Sequence, residues 1–287
     1  PHEASFVSNV STDLGFNLER LYVMSQGRLV NLEQSALKCL QSGERVSFLE
    51  VFSGKGMLTL GVRAIGLKAL DGWDSLYTMG GRKWDFATPE HQRDARALIK
   101  RLDPVIVHAA CPCDKLSQMA PHPGQANFSQ AEFDRSEGMV KFSFQVIEDR
   151  VVAGGGGSAE NPKGSRVWNL PVTRRTCGTK EAPKKGYYFA TPDLCAYGAE
   201  EPMSYDKDVE ARRKVWRDQL ADRGGVVVID GLYYRKSVTL VATYPEILGV
   251  NDKCPGDHEH QHVRGSTKNA DGHWIGRGKL SGAYPLQ

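Results

Sequence analysis

Apolar positions along this chain recur in two rhythms. Between Leu18 and Leu40 they fall at Leu18, Leu21, Met24, Leu29, Leu32, Ala36 and Leu40, near every third or fourth place, which predicts a helical flank. From Val46 the rhythm shortens. Val46-Ser47-Phe48-Leu49-Glu50-Val51-Phe52 reads as a strand, Ser53-Gly54-Lys55-Gly56 as a turn, and Met57 to Ile65 as a helix, which opens a βαβ arrangement. A short strand at Leu67 to Leu70 then ends in Asp71, and a helix spans Pro89 to Leu102. Pro104-Val105-Ile106-Val107-His108 is a compact apolar strand that runs straight into a cysteine-bearing loop. Phe128 to Ala153 reads as loop and then helix, its apolar face supplied by Phe142, Phe144, Val146, Ile147, Val151 and Val152.

The pattern breaks at Gly154 to Ser158, where an apolar strand is expected and the chain reads Gly-Gly-Gly-Gly-Ser. This run is either a native glycine-rich turn or an engineered flexible linker. Beyond Trp168, strand candidates at Gly186 to Leu194, Gly225 to Tyr234 and Val238 to Ala242 are interrupted by a charged helix over Asp206 to Asp222. From Asn251 the chain is polar and rich in glycine. The expected organisation is a helical flank over 1–45, an α/β domain over 46–170 and a smaller lobe over 171–287 that also completes the main domain. The expected fold is a mostly parallel sheet flanked by helices.

Composition narrows the class. With 40% hydrophobic and 25% charged residues the chain has the balance of a water-facing globular protein, and no apolar run approaches the ~18 residues of a membrane span, so no membrane partner is expected. The formal charge of +3 is too small to demand nucleic acid, although Arg174-Arg175, Lys184-Lys185 and Arg212-Arg213-Lys214 are local sites for phosphate. The six cysteines are spread out and follow no signal peptide, which favours free thiols in a reducing, intracellular compartment. A start at Pro1 suggests a domain of a larger polypeptide, a processed product or a remnant of tag removal.

Four segments carry candidate chemistry. Phe52-Ser53-Gly54-Lys55-Gly56, between strand and helix, lets a nucleotide-like ligand approach bare backbone. Asp71 and Asp74, about twenty residues on, suit ribose hydroxyls, and Asp85 beside Phe86 suits an adenine amino group. The third glycine of a dinucleotide fingerprint is missing, which disfavours a plain dehydrogenase. Ala109 to Ser117 sets Cys113 beside Pro112 at a strand's carboxyl end, and Glu160-Asn161-Pro162 offers a carboxylate and an amide. Finally, Cys254 to His262 holds a thiol and three imidazoles; with Cys195 from an earlier strand, Cys254, His258 and His260 form a ligand set that a structural zinc would accept.

Taken in order and spacing, the first two segments and the Glu-Asn pair resemble the cytosine-5 DNA methyltransferase family, with a tail similar to that of retroelement-encoded members. Phe52 to Gly56 is similar to its S-adenosylmethionine motif, Ala109 to Ser117 to its small-small-Pro-Pro-Cys-x-x-x-Ser loop, and Glu160-Asn161-Pro162 to its Glu-Asn motif. The resemblance covers roughly residues 46–170. It implies a Rossmann-like methyltransferase fold, S-adenosylmethionine as cofactor, DNA as partner and, in a eukaryote, a nuclear location. It also implies roles: Cys113 as the nucleophile that adds to cytosine carbon 6, Glu160 as the acid that protonates the ring nitrogen, and Asn161 and Pro112 as holders of the loop.

Departures from the family pattern are specific. Cys111 replaces the first proline, Asp114 stands where glutamine is common, and the family's Gln-x-Arg-x-Arg strand is unrecognisable, leaving Arg235 in Tyr233-Tyr234-Arg235-Lys236 as the candidate cation. Two alternatives stay open: an RNA cytosine methyltransferase, as in the branch of the family that acts on transfer RNA, and an inactive nucleic-acid-binding module of the same shape.

Overall fold

The computed structural model of the 287-residue chain describes residues 39, 42, 45–76, 83–118, 120–197, 233–234, 236–256, 260–261, 266–268 and 274–276. The expected helix at 18–40 apart from Cys39, the helix at 206–222, most of the 225–234 strand, Arg235 and His258 lie outside the described residues. The chain forms two compact units, one of Pro1–Phe189 with Leu240–Ile247 and one of Ala190–Thr239 with Leu248–Gln287. Among the described residues no helix is long and apolar enough to cross a membrane.

The fold is mixed α/β and Rossmann-like. Strands β1 (Phe48–Val51), β2 (Ile106–Ala109) and β3 (Gly156–Pro162) pair in parallel, with Val51 opposite Ala109 and Ala109 opposite Ala159. Strands β4 (Tyr188–Ala190) and β6 (Val238–Ala242) complete a five-stranded sheet in the order β1-β2-β3-β6-β4. The expected strand at 67–70 is reduced to two parallel bridges on the outer edge of β1, Phe48 to Ala69 and Val51 to Trp73. The Arg63 guanidinium occupies the Ala69 carbonyl there.

Among the described residues four α-helices connect and cover these strands. Helix α1 (Met57–Ala64) starts at Gly56, which sits at φ 69. Helix α2 (Pro89–Leu102) opens on a proline and closes on Asp103 in the left-handed region at φ 44, with Lys100 and Arg101 in its last turn against the helix dipole. It buries Ala95, Leu98, Ile99 and Leu102, the i, i+3, i+4, i+7 stripe of a one-sided helix. Helix α3 (Gln130–Val152) is capped by the Ser129 hydroxyl accepting from Glu132 N–H, and it buries Val140, Phe142, Phe144, Val146, Ile147 and even Arg150. Helix α4 (Pro171–Cys177) follows β3 after a 3-10 turn at Arg166–Asn169, so the first unit continues past position 170.

The glycine run is packed structure. Gly156 and Gly157 lie within β3, and a Cβ on Gly157 would stand 2.8 Å from Ile147 Cγ2 of α3. A Cβ on Gly155 would collide with the Arg150 guanidinium, which is buried and bonded to Asp103 at 2.7 Å. Glycine therefore lets α3 approach β3 more closely than any side chain would, and the run is no flexible connection.

In the second unit the described strands are short. β5 (Tyr233–Tyr234) pairs in parallel with β7 (His260–Gln261), and β8 (Ser266–Lys268) pairs antiparallel with β9 (Trp274–Gly276).

Candidate active site

Because β1, β2 and β3 run in parallel and in register, the residues at their carboxyl ends share one rim. Phe52, Ala110 and Glu160 each follow a registered strand position there, and the Ala110 N–H still donates to Val51 O at 3.2 Å. Ligands of open α/β sheets bind along such a rim.

On the β1 side, Phe52 (φ 58), Gly54 (φ 52) and Gly56 (φ 69) all adopt left-handed backbone, a costly conformation for Phe52 that a sharp turn imposes. Gly54 N–H donates to Asp74 Oδ2 at 3.0 Å, and no atom stands within 4 Å of where a Gly54 Cβ would lie. Open space beside bare backbone fits the approach of a nucleotide-like cofactor such as S-adenosylmethionine. Ser53 is buried, with Gly72 passing so closely that a Cβ there would overlap it.

The other cofactor candidates are engaged as follows. The Asp71 carboxylate pairs with Arg63 at 2.7 Å, and Asp74 also accepts from Leu76 N–H. Asp85 accepts from Ala87 N–H and Thr88 Oγ1 and pairs with Arg135 at 3.2 Å, an arrangement that organises the entry to α2. Phe86 is fully buried, its ring stacked on Phe142 at 4.7 Å and edge-on to Phe52 at 4.9 Å, so it forms the apolar support under the turn.

On the β2 side, the loop after Ala109 separates its two thiols. Cys111 is buried, and its thiol is pushed up to about 12, first by burial and then by the nearby Glu160 charge, despite a hydrogen bond with Ser143. Cys113 is half-exposed and begins the short 3-10 turn Asp114–Leu116, beside the exposed Pro112. The thiol that burial does not seal is thus Cys113. Both Glu160 and Cys113 lie within electrostatic reach of Cys111, which brings the three groups into one neighbourhood.

The β3 side clamps this loop. Asn161, buried at the end of β3, donates from Nδ2 to Cys111 O at 2.8 Å and touches its Sγ at 3.5 Å. Glu160 is half-buried, with Oε1 shielded from solvent. Farther along, Ser165 Oγ donates to Leu116 O at 3.2 Å, while Arg166 Nη2 donates to Lys115 O at 2.7 Å and to Pro121 O at 3.2 Å.

Ser165 and Arg166 escaped the sequence reading, though a serine and an arginine so soon after Glu-Asn-Pro were a usable sign. So did Glu50, a lone acid inside the apolar β1. It is buried, accepts from both Thr59 N–H (3.0 Å) and Thr59 Oγ1 (2.7 Å), and is raised to about 7, chiefly by burial. One rung below the loop, His108 is lowered to about 4 by burial and shares a 2.9 Å hydrogen bond with Ser158 Oγ.

Within the second unit, Cys195, Cys254 and His260 come together, with His260 Nε2 3.2 Å from Cys254 Sγ and 3.3 Å from Cys195 Sγ. Basic residues also gather in the first unit. Arg174, Arg175, Lys180, Lys184 and Lys185 are exposed on α4 and the turn after it, where Lys184 Nζ donates to Arg175 O.

No known protein-family model matches this sequence, and neither does any curated protein. Among solved structures the chain is similar to Spodoptera frugiperda DNMT2, in a triple-alanine variant, with 14% identity and a TM-score of 0.34. The match covers 75% of this chain and 54% of that one, so the chain spans about half the length of that structure.

Proposed function

We propose that this chain is an S-adenosylmethionine-dependent cytosine-5 methyltransferase whose substrate is DNA. The observation that carries the reading is the rim itself: an open left-handed glycine turn after β1, a half-exposed Cys113 after β2, and Glu160-Asn161 at the end of β3, with Asn161 bonded to the cysteine loop. Three parallel strands thus deliver a ligand turn, a thiol and a carboxyl to one edge.

Each residue then has work that its surroundings suit. Cys113 loses its proton and adds to carbon 6 of a cytosine turned out of the duplex, since that atom is unreachable inside the stack. Glu160, partly shielded from water, hydrogen-bonds the exocyclic amine and gives a proton to the ring nitrogen, which is the acid's part in making carbon 5 nucleophilic. Asn161 fixes the loop through the Cys111 carbonyl, and Ser165 and Arg166 hold its far side. The Phe52 to Gly56 turn would hold S-adenosylmethionine, which supplies an electrophilic methyl group. Loss of the carbon 5 proton to water, return of the ring-nitrogen proton to Glu160 and expulsion of Cys113 regenerate the thiolate and the acid and free the methylated base.

The test is transfer of labelled methyl from S-adenosylmethionine to DNA, and in parallel to RNA, by the chain and by Cys113→Ala. Label on cytosine carbon 5 of DNA that disappears with Cys113→Ala is the expected result. Label confined to RNA would move the substrate, and no transfer from a chain that binds the cofactor would replace the enzyme with a binding module.

A further inference from the structure

We propose that Cys195, Cys254 and His260 bind a zinc ion that fastens together three separate stretches of the second unit. This site is independent of the methyl-transfer chemistry. Cys195 lies in the 3-10 turn Leu194–Tyr197, Cys254 in the return segment 251–256, and His260 on β7. Their ligand atoms all lie within 4.8 Å of one another.

The geometry is that of ligands around a shared point. Sulfur at ~2.3 Å and nitrogen at ~2.0 Å from one tetrahedral ion stand about 3.5 Å from each other, and the two nitrogen-to-sulfur separations here, 3.2 and 3.3 Å, lie close to that. Hydrogen bonding alone explains this poorly. A single imidazole nitrogen has one proton or one lone pair, which two sulfurs could only share in a weak three-centre bond, whereas a cation between them satisfies all three.

The surroundings also suit thiolate ligation. Gly256, at φ 77, turns its N–H onto Cys254 Sγ at 3.4 Å, a donor that would stabilise sulfur carrying negative charge. The Cys254 N–H in turn donates to Asp193 Oδ2 at 3.0 Å, and Asp193 also accepts from Ser237, so the loop is anchored before any ion arrives. Two thiols and an imidazole favour zinc over magnesium or calcium, which take oxygen. On binding, each thiol gives its proton to solvent, and the fourth position is left for water or another side chain. Tying turn, return segment and strand together gives the ion a structural role.

The test is metal content of the full chain, expressed with zinc and dialysed under reducing conditions. About one zinc per chain is expected, falling to about a tenth or less in Cys254→Ser and His260→Gln. Cys177→Ser, which alters a buried thiol of the first unit, keeps the full complement. Cobalt substitution of the unaltered chain should show a thiolate-to-metal charge-transfer band, a readout that needs no variant to fold. A folded, zinc-free chain without that band overturns the proposal, as does full zinc retention in both ligand variants. A Cys195–Cys254 disulfide in the reduced preparation would overturn it as well.

Discussion

At the scale of residues, two cysteines two positions apart have opposite environments, and that difference has a chemical readout. Alkylation by iodoacetamide near pH 8, followed by mass spectrometry, should modify Cys113 well before Cys111, because burial and the Glu160 charge hold the Cys111 thiol at about 12. Equal rates would mean the loop does not discriminate between them. A second expectation concerns two buried groups that titrate in opposing senses. Glu50 rises from 4.5 to about 7 on folding, so between these values the native state keeps a proton that the unfolded chain has lost, and stability falls as pH rises. His108 drops from 6.5 to about 4, so between those values the unfolded chain takes a proton that the native state refuses, and stability rises with pH. The two slopes offset each other between pH 4.5 and 6.5. Glu50→Gln should therefore leave a melting temperature that climbs more steeply across that interval than in the parent. An unchanged profile would show that Glu50 is ionised in the folded protein.

At the scale of elements, close approach of α3 to β3 makes a stability prediction. Gly157→Ala must displace Ile147, and overpacking of this kind costs about 1–3 kcal/mol; chemical denaturation of the variant measures it, and a change near zero would mean that α3 yields freely. The same contact shows where sequence reading reached and where it stopped. Helix α2 and strand β6 were legible because their patterns are local, a one-sided apolar stripe in one and an apolar run in the other. The three candidate-site segments stand out in the sequence because each is contiguous. Strand β3 was ambiguous because its glycines are determined by Ile147 and Arg150, partners invisible to a local window. Leu67 to Leu70 read as a strand since its apolar spacing suits one, yet it makes only bridges where Arg63 takes a carbonyl from the ladder. Glu50 and Arg166 were missed for a related reason, since their value comes from Thr59 and from the cysteine loop.

At the scale of the whole molecule, a modest net charge of +3 conceals a concentrated one: positions 174–185 carry five basic residues against the single acid Glu181. If this surface meets phosphate, Arg175→Ala with Lys185→Ala should weaken DNA binding and flatten its dependence on salt by about one unit of log-log slope per lost contact. Titrations at several salt concentrations measure both, and an unaltered slope would move the nucleic-acid surface elsewhere. The discontinuity of the two units bears on how the protein can be dissected. Strand β6 lies between β3 and β4 in the sheet, yet it starts at Val238, some fifty residues after β4 ends at Ala190. Truncation after Phe189 would thus leave a gap in the sheet and strip Gly157 of its partner Thr243. A minimal fragment that keeps the five-stranded sheet has to be made by excision and rejoining, with a short loop from Ala190 to Val238, so that the strand returns to its place when the intervening residues are gone.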